Sequence, residues 1–446
     1  MTKHWMLRFL AILGLLTCSL LFALGQQTAP TKPPDQKTSD EKKKPEPIYG
    51  NTPEDLKPFA NYVKEPYKNY WVPSDSPVMF WGPGRDKPEP EVETVKIGVI
   101  APINRSYETY IGQSVLHGMQ MALDDANAAG GYRGKRFEAV VKNDTGLWGA
   151  SANEVVSLSY DDKVWAIIGT VDGANTHIAI RVALRTDIPM MNVADTDATL
   201  VETKIPWVVR VIPDDRQMTY TIAYYVYKQL GLNSVAILRA SNRYGRIGVT
   251  QFKKASIKLG KPAPIETNYE NVNPDFEIQL DRLEKVHPDA VVLWADAEPA
   301  GALVKQIRDR GMKFPIFACE RIVHPDFLKA AGKAAEGVVA MYPFNPEARN
   351  PKYAEFRKRY EERYHTVPDC YAVHSYDGTM MTVEAIRKAG LNRYRIRDVM
   401  AEMRHWDGVS GPIDLDEALT NRRPVIAASV KGGKFVFGIP KMNRTF

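Results

Sequence analysis

The residues with the greatest chemical potential in this chain do not assemble into a catalytic motif. Gly130-Gly131-Tyr132-Arg133-Gly134-Lys135 has the glycines and lysine of a phosphate-cradling loop, but its first glycine is misplaced and Arg136-Phe137 stand where a Ser or Thr should follow the lysine. It predicts a helix stop and a turn. Gly408-Val409-Ser410-Gly411-Pro412 approaches a nucleophile elbow, yet Pro412 replaces the closing glycine and no strand pattern precedes it. The eight histidines are scattered, and no H-E-x-x-H, C-x-x-C or Cys/His cluster exists. His117 and His374 fall inside helical patterns. No catalytic residue, metal or cofactor is expected. What remains is four polar loops: Asn104-Arg105-Ser106-Tyr107-Glu108-Thr109-Tyr110, Thr170 to Thr176, Ala194-Asp195-Thr196-Asp197 and Ala295-Asp296-Ala297-Glu298. Asp, Asn and Thr there are good helix caps, but four such loops at matching strand ends suit a ligand site.

The elements that would position these loops alternate. Val95-Lys96-Ile97-Gly98-Val99-Ile100 predicts a strand, and Val115, Leu116, Met119 and Leu123 have helical spacing within 112–129. Strands at Phe137–Val141, Val164–Ile168 and Ile188–Val193 follow, with helices near Ser151–Tyr160 and Ala174–Arg185 between them. After Pro213 a second series reads helix Met218–Leu230, strand Val235–Leu238, helices Ile247–Leu259 and Phe276–Val286, strand Ala290–Trp294, helix Ala300–Arg310 and strand Pro315–Ala318. Gly337–Tyr342, three further helices and a terminal hairpin turned at Gly432-Gly433 complete the chain. Short apolar strands alternating with helices imply parallel sheets covered on both faces. The expected fold class is α/β, with two doubly wound lobes. In open parallel sheets ligands bind at the C-terminal ends of strands, where the four loops stand.

At 446 residues and 44% hydrophobic composition the chain can bury a large core, and its net charge of +6 is spread without a basic stripe, so nucleic acid is not an expected partner. Lys3 and Arg8 precede a 16-residue apolar run, Phe9 to Leu24, shorter than the roughly 20 residues of a membrane-spanning helix. It reads as a secretory signal, residues 1–25, cleaved after Gly25. The competing reading takes Leu15-Leu16-Thr17-Cys18 as a lipoprotein box with Cys18 lipidated. Residues 26–93 hold 13 of the 31 prolines and read as a tether, except that Phe59 to Trp81 carries too many aromatics for a solvated linker and is expected to pack on the core or await a partner. Cys319 and Cys370 read as buried free thiols, with pairing left open.

In order and spacing the chain resembles the periplasmic solute-binding proteins of the branched-chain amino-acid transporter type, the type I periplasmic binding fold. The resemblance runs from Thr94 to the C-terminus. It rests on Lys96-Ile97-Gly98-Val99-Ile100-Ala101-Pro102, Asn127-Ala128-Ala129-Gly130-Gly131, Ala166-Ile167-Ile168-Gly169, Arg210-Val211-Ile212-Pro213-Asp214-Asp215, Tyr244-Gly245, Ala334-Ala335-Glu336-Gly337-Val338 and Lys431-Gly432-Gly433-Lys434-Phe435.

The resemblance implies two lobes joined by hinge crossovers, lobe one comprising 94–213 plus 320–420 and lobe two 214–319 plus 421–446. It implies a monomer in the periplasm or at the cell surface that closes on an amino acid or related small polar solute and delivers it to a membrane permease with a cytoplasmic ATPase. The ligand set it implies is Ser106, Tyr107, Tyr110, Asp172, Gly173, Ala174, Thr176, Asp195, Thr196, Tyr244, Asp296, Glu298 and Glu320. A serine of the family's carboxylate site falls on Gly173, and its ammonium-binding glutamate falls nearest Pro299, with Glu298 one position early and Asp296 close by. Asp172 and Asp195 replace small or neutral groups, so the cleft is expected to be acidic and to favour a cationic or strongly hydrogen-bonding ligand. The other function the fold implies is a sensory or accessory ligand-binding module. A neighbouring permease and ATPase gene pair favours transport, and a neighbouring histidine kinase favours sensing.

Overall fold

The computed structural model describes residues 78, 80, 82–272 and 274–438. The expectations for the leader, for most of the extension and for the tail beyond 438 lie outside the described residues.

Alternation in β1 (Val95–Ala101) explains the first lobe. Val95, Ile97, Val99 and Ala101 pack on one side with Ile111, Val115 and Met119 of α1 (Thr109–Ala128), while Ile100 faces the other with Val155 and Leu158 of α2 (Trp148–Tyr160). A strand buried on both faces is the mark of a covered parallel sheet. Its neighbours are β2 (Phe137–Asn143) on one side and β3 (Ile167–Gly169), β4 (Met190–Asn192) and β5 (Val208–Arg210) on the other, in the order β2-β1-β3-β4-β5, all parallel. α3 (Gly173–Thr186) joins β3 to β4.

The second sheet has the order β14-β13-β10-β9-β8-β6-β7. Its parallel part is β6 (Val235–Ala240), β7 (Ile265–Tyr269), β8 (Ala290–Trp294), β9 (Ile316–Ala318) and β10 (Val339–Tyr342); β13 (Ile426–Lys431) and β14 (Lys434–Phe437) are antiparallel. α4 (Asp215–Tyr224) and α5 (Arg243–Lys258) cover one face through Met218, Ile222 and Phe252; α6 (Glu277–Val286), α7 (Ala297–Asp309) and α8 (Pro325–Ala331) cover the other through Leu280, Leu303 and Phe327. The chain then returns to the first sheet with α9 (Pro351–Tyr364), α10 (Cys370–Ala389) and α11 (Arg393–Glu402), and a small hairpin of β11 (His405–Gly408) and β12 (Gly411–Asp414) follows. Cys319 and Cys370 are free and buried.

Four expectations change. The return to lobe one, expected at Glu320, comes after Tyr342: all four residues of β10 are buried and the strand is paired on both sides, to β9 and β13, so it belongs to the second sheet. The helix expected to start at Met218 begins at Asp215, where Asp214 and Gln217 form a capping box, and its last turn relaxes to π winding over Tyr225–Gln229. β5 and β7 escape the strand pattern: β5 is three residues ending in Arg210, and β7, Ile-Glu-Thr-Asn-Tyr, is an edge strand with a single fully buried residue. The elbow-like Gly408–Pro412 is a hairpin turn, with the Asp377 carboxylate accepting the Val409 and Ser410 N–H groups at 2.7 and 2.8 Å.

The end of the presumed tether is a docked strap. Phe80 lies edge-on to Trp207 at 5.0 Å and stacks with Tyr394 at 6.2 Å, Arg85 pairs with Asp398 at 2.6 Å, and Tyr132 donates to Glu89 at 2.7 Å. Of the aromatic segment, Phe80 therefore packs on the core. Asn392 joins strap to lobe: its Oδ1 caps α11 at the Tyr394 and Arg395 N–H groups, and its Nδ2 donates to the carbonyls of Gly84 and Lys87, each at 3.0 Å. Asn392→Ala removes a cap and leaves these carbonyls unpaired, so it is expected to lower unfolding stability by about 1–2 kcal/mol in urea titration.

Three crossings join the lobes among the described residues: after β5, after β10 and before β13. Backbone bonds tie two of them, Arg210 N–H to the Leu419 carbonyl at 2.9 Å and Asn421 N–H to the Arg210 carbonyl at 3.0 Å.

Candidate functional site

Two expected loops leave the C-terminal ends of β3 and β4. Asp172 caps α3, its Oδ1 accepting the Ala174 N–H at 2.8 Å, while its carbonyl accepts the Thr176 N–H at 2.9 Å and the Thr176 hydroxyl at 3.0 Å. That hydroxyl lies 2.6 Å from the Thr170 hydroxyl. After β4, Asn192 Oδ1 accepts the Asp195 N–H at 3.1 Å, and Asp195 Oδ1 accepts the Asp197 N–H at 2.9 Å, successive Asx turns that fold the loop inward. Asp195 is 3% exposed and its Oδ2 has no hydrogen-bond partner. Burial, then the neighbouring Asp197 charge, pushes its carboxyl up to about 8. Burial also raises Asp172. The Thr196 carbonyl accepts the Asp215 N–H at 2.9 Å, binding this loop to the start of α4.

The second lobe brings the N-termini of α5 and α7. Asn242 caps α5 at the Gly245 N–H, and the next-but-one residue, Tyr244, is buried with its hydroxyl 3.1 and 3.0 Å from the two Glu320 oxygens. Tyr371 of α10 donates to the same carboxylate at 3.3 Å. Asp296 stands at the α7 N-cap but caps nothing; its Oδ1 accepts Arg321 Nη1 at 2.8 Å and its Oδ2 accepts from Asn271. The same Arg321 nitrogen reaches Glu108, in front of α1, at 2.8 Å, and the guanidinium lies 3.7 Å over the Tyr244 ring. Burial pushes Glu108 up to about 8 against the pull of Arg321.

The two lobes thus touch through side chains from loops facing each other. Glu108 meets Arg321, Tyr371 meets Glu320, the Tyr107 hydroxyl meets Asn242 at 3.3 Å, and Asp197 meets Arg243 at 2.8 Å with Thr199 accepting from the same guanidinium at 3.1 Å. Gly173 makes the last pair possible, because a Cβ there would lie 2.3 Å from Asp197 Oδ2 and 2.9 Å from Arg243 Nε.

The structure brings Asp172, Gly173, Ala174, Thr176, Asp195, Thr196, Tyr244, Asp296 and Glu320 to the facing strand ends, with Tyr107 half-exposed at the rim. Ser106 spends its hydroxyl on the Glu108 N–H at 3.1 Å, and Tyr110 packs on the His324 ring at 4.7 Å with its own hydroxyl unpartnered. Glu298 departs from expectation: Asp296 turns into the cluster at the cap of α7, and two residues on the helix carries Glu298 to its exposed side. Residues missed were Glu108, Asp197, Arg243, Arg321 and Tyr371. Glu108 and Asp197 lay within the polar loops already singled out; Arg243 and Arg321 sit beside Tyr244 and Glu320, and only adjacency in sequence could have flagged them. Among the described residues no group of His, Cys, Asp and Glu is arranged to hold a metal ion.

Comparison with known proteins agrees with this architecture. A family profile described as periplasmic binding protein matches residues 94–434. A Leu/Ile/Val-binding protein homologue of Brucella abortus is 27% identical over 331 residues, covering 72% of this chain and 86% of that one. The crystal structure of a leucine-binding protein, LivK, of Thermotoga maritima superposes with a TM-score of 0.71 at 26% identity, covering 78% of this chain and 99% of that one. A solute-binding protein of an R. palustris ABC transporter, solved with benzoate, has a TM-score of 0.69 at 19% identity and covers 77% of this chain and 95% of that one. That last likeness is one of fold. Lobed α/β architecture, facing polar strand-end loops and the profile match over most of the chain lead to one conclusion: the chain belongs to the periplasmic binding protein family, whose members are solute-binding proteins of transport systems and not enzymes.

Proposed function

We propose that the chain is exported by its N-terminal leader to the periplasm or cell surface and there, as a monomer, captures an amino acid or related small polar solute between its lobes for the permease of an ABC transporter. The carrying observation is that buried polar groups from both sheets, Asp172, Thr176 and Asp195 on one side and Tyr244, Asp296 and Glu320 on the other, converge at facing strand ends. The crossings after β5, after β10 and before β13 serve as the hinge, so that a ligand touching both lobes favours the closed arrangement. Two of the relatives named above bind branched-chain amino acids, by their names, and the R. palustris protein was solved with benzoate.

The test is a thermal-shift screen of amino acids, amines, amides and short carboxylates on protein stripped of bound ligand by partial unfolding. A true ligand at 100 times its dissociation constant stabilises by about 2.7 kcal/mol, a clear rise in melting temperature. The same ligand is expected to reduce the radius of gyration in solution scattering. A screen in which no solute raises the melting temperature counts against capture of a small solute.

A further inference from the structure

The cleft accepts hydrogen bonds where an amino-acid carboxylate would need them donated. Several donors at the lobe-one loops are already taken: the Ala174 N–H by Asp172 Oδ1, the Thr176 N–H by the Asp172 carbonyl, the Asp197 N–H by Asp195 Oδ1, and the Thr176 hydroxyl by the Asp172 carbonyl beside Thr170. Acceptors are left over. Asp195 Oδ2 is buried without a hydrogen-bond partner and the Asp215 carboxyl has only the Thr196 hydroxyl beside it, in residues 3% and 0% exposed, and the two residues adjoin through the bond from Asp215 N–H to the Thr196 carbonyl. An unpaired buried carboxylate is costly unless something supplies charge and donors. The cations nearby are engaged elsewhere: Arg321 Nη1 is shared by Glu108 and Asp296, and Arg243 is paired with Asp197.

We infer that, within the solute-binding role proposed above, the ligand lacks a carboxylate at this end and presents a hydrogen-bond-donating cation, an ammonium, amidinium or guanidinium, to Asp195 and Asp215. Such a group supplies the two to three donors and the positive charge that the orphaned oxygens lack. A carboxylate in the same place would face the acidic groups of Asp172 and Asp195. Burial holds these carboxyls toward their neutral form; a carboxylate placed there gives them no reason to ionise, while an amine or guanidine head favours the ionised form and is complementary to it.

The experiment is calorimetric titration of the ligand-stripped full chain with four probes: agmatine, putrescine, L-leucine and benzoate. Binding of agmatine or putrescine at least 100-fold tighter than leucine and benzoate is expected. Asp195→Asn, which keeps the shape but cannot ionise against a bound cation, is expected to weaken that binding tenfold or more, with circular dichroism confirming the fold. The wild-type preference stands as evidence even if the variant does not fold. Leucine or benzoate binding as tightly as either cation overturns the inference and leaves the solute-binding role intact. Failure of both cations also overturns it, and failure of all four probes counts against that role as well.

Discussion

Asp214→Ala is expected to lower unfolding stability by about 3–5 kcal/mol, enough to threaten folding altogether, because it strips the counter-charge from two buried guanidiniums. Asp214 is fully buried; its Oδ2 accepts Arg210 Nη2 at 2.5 Å and Arg216 Nη2 and Nε at 2.6 and 3.0 Å, while its Oδ1 caps α4 at the Arg216 N–H, 2.9 Å away. Without it Arg210, 1% exposed, keeps only weaker neutral acceptors, among them the Asp197 carbonyl and the Thr420 hydroxyl. The site lies at the crossing after β5, one of the three that join the lobes among the described residues. Burial alone would raise the Asp214 carboxyl, but Arg216 and Arg210 outweigh it and hold the pKa below the ordinary range. The sign follows: this stabilisation is complete above the unfolded carboxyl pKa, about 4, and is lost as pH falls through the depressed folded value. Urea titration of wild type and Asp214→Ala from neutral to strongly acid pH should therefore give curves that converge in acid. A variant within 1 kcal/mol of wild type at neutral pH would show that the cluster does not hold the hinge.

Arg321→Ala should be almost as damaging and should also open the cleft. The substitution leaves Glu108 and Asp296, 2% and 5% exposed, facing each other without the guanidinium between them, and exposes the Tyr244 face it covered. Breaking one member of a buried charge group costs about 3–5 kcal/mol, whereas removing the whole group can be nearly neutral. Accordingly Arg321→Ala is expected to destabilise strongly, and Glu108→Gln with Asp296→Asn and Arg321→Met is expected to recover most of the loss. Because Glu108 and Arg321 belong to opposite lobes, the single variant should show a larger radius of gyration than wild type in the absence of ligand. An unchanged radius would mean that the other contacts between lobes, Asp197 with Arg243 and Tyr371 with Glu320, suffice to keep them together.

The physical reason for what was legible is range. The alternation of Val95, Ile97 and Val99, the helical spacing of Val115, Met119 and Leu123, and the paired glycines at the last hairpin are local patterns, set by side-chain direction within one element. They determined two largely parallel sheets with helices on both faces, and from that the strand-end loops that carry Asp172, Asp195 and Asp296. Where a strand is polar at an edge, as in β7, the pattern had too few apolar positions to register. Tertiary structure alone decided the rest. β10 reads as an apolar strand wherever it is placed, and only its pairing between β9 and β13 assigns it to the second sheet. Arg321 and Glu108 are 213 residues apart, so no spacing rule connects them, and the exposure of Glu298 beside buried Asp296 depends on the turn at which α7 starts. Whether an aspartate caps a helix, pairs with an arginine or is left with an orphaned oxygen depends on the neighbours that the fold brings to it. The composition of the cleft was therefore readable from the chain, while its charge balance was fixed only on folding.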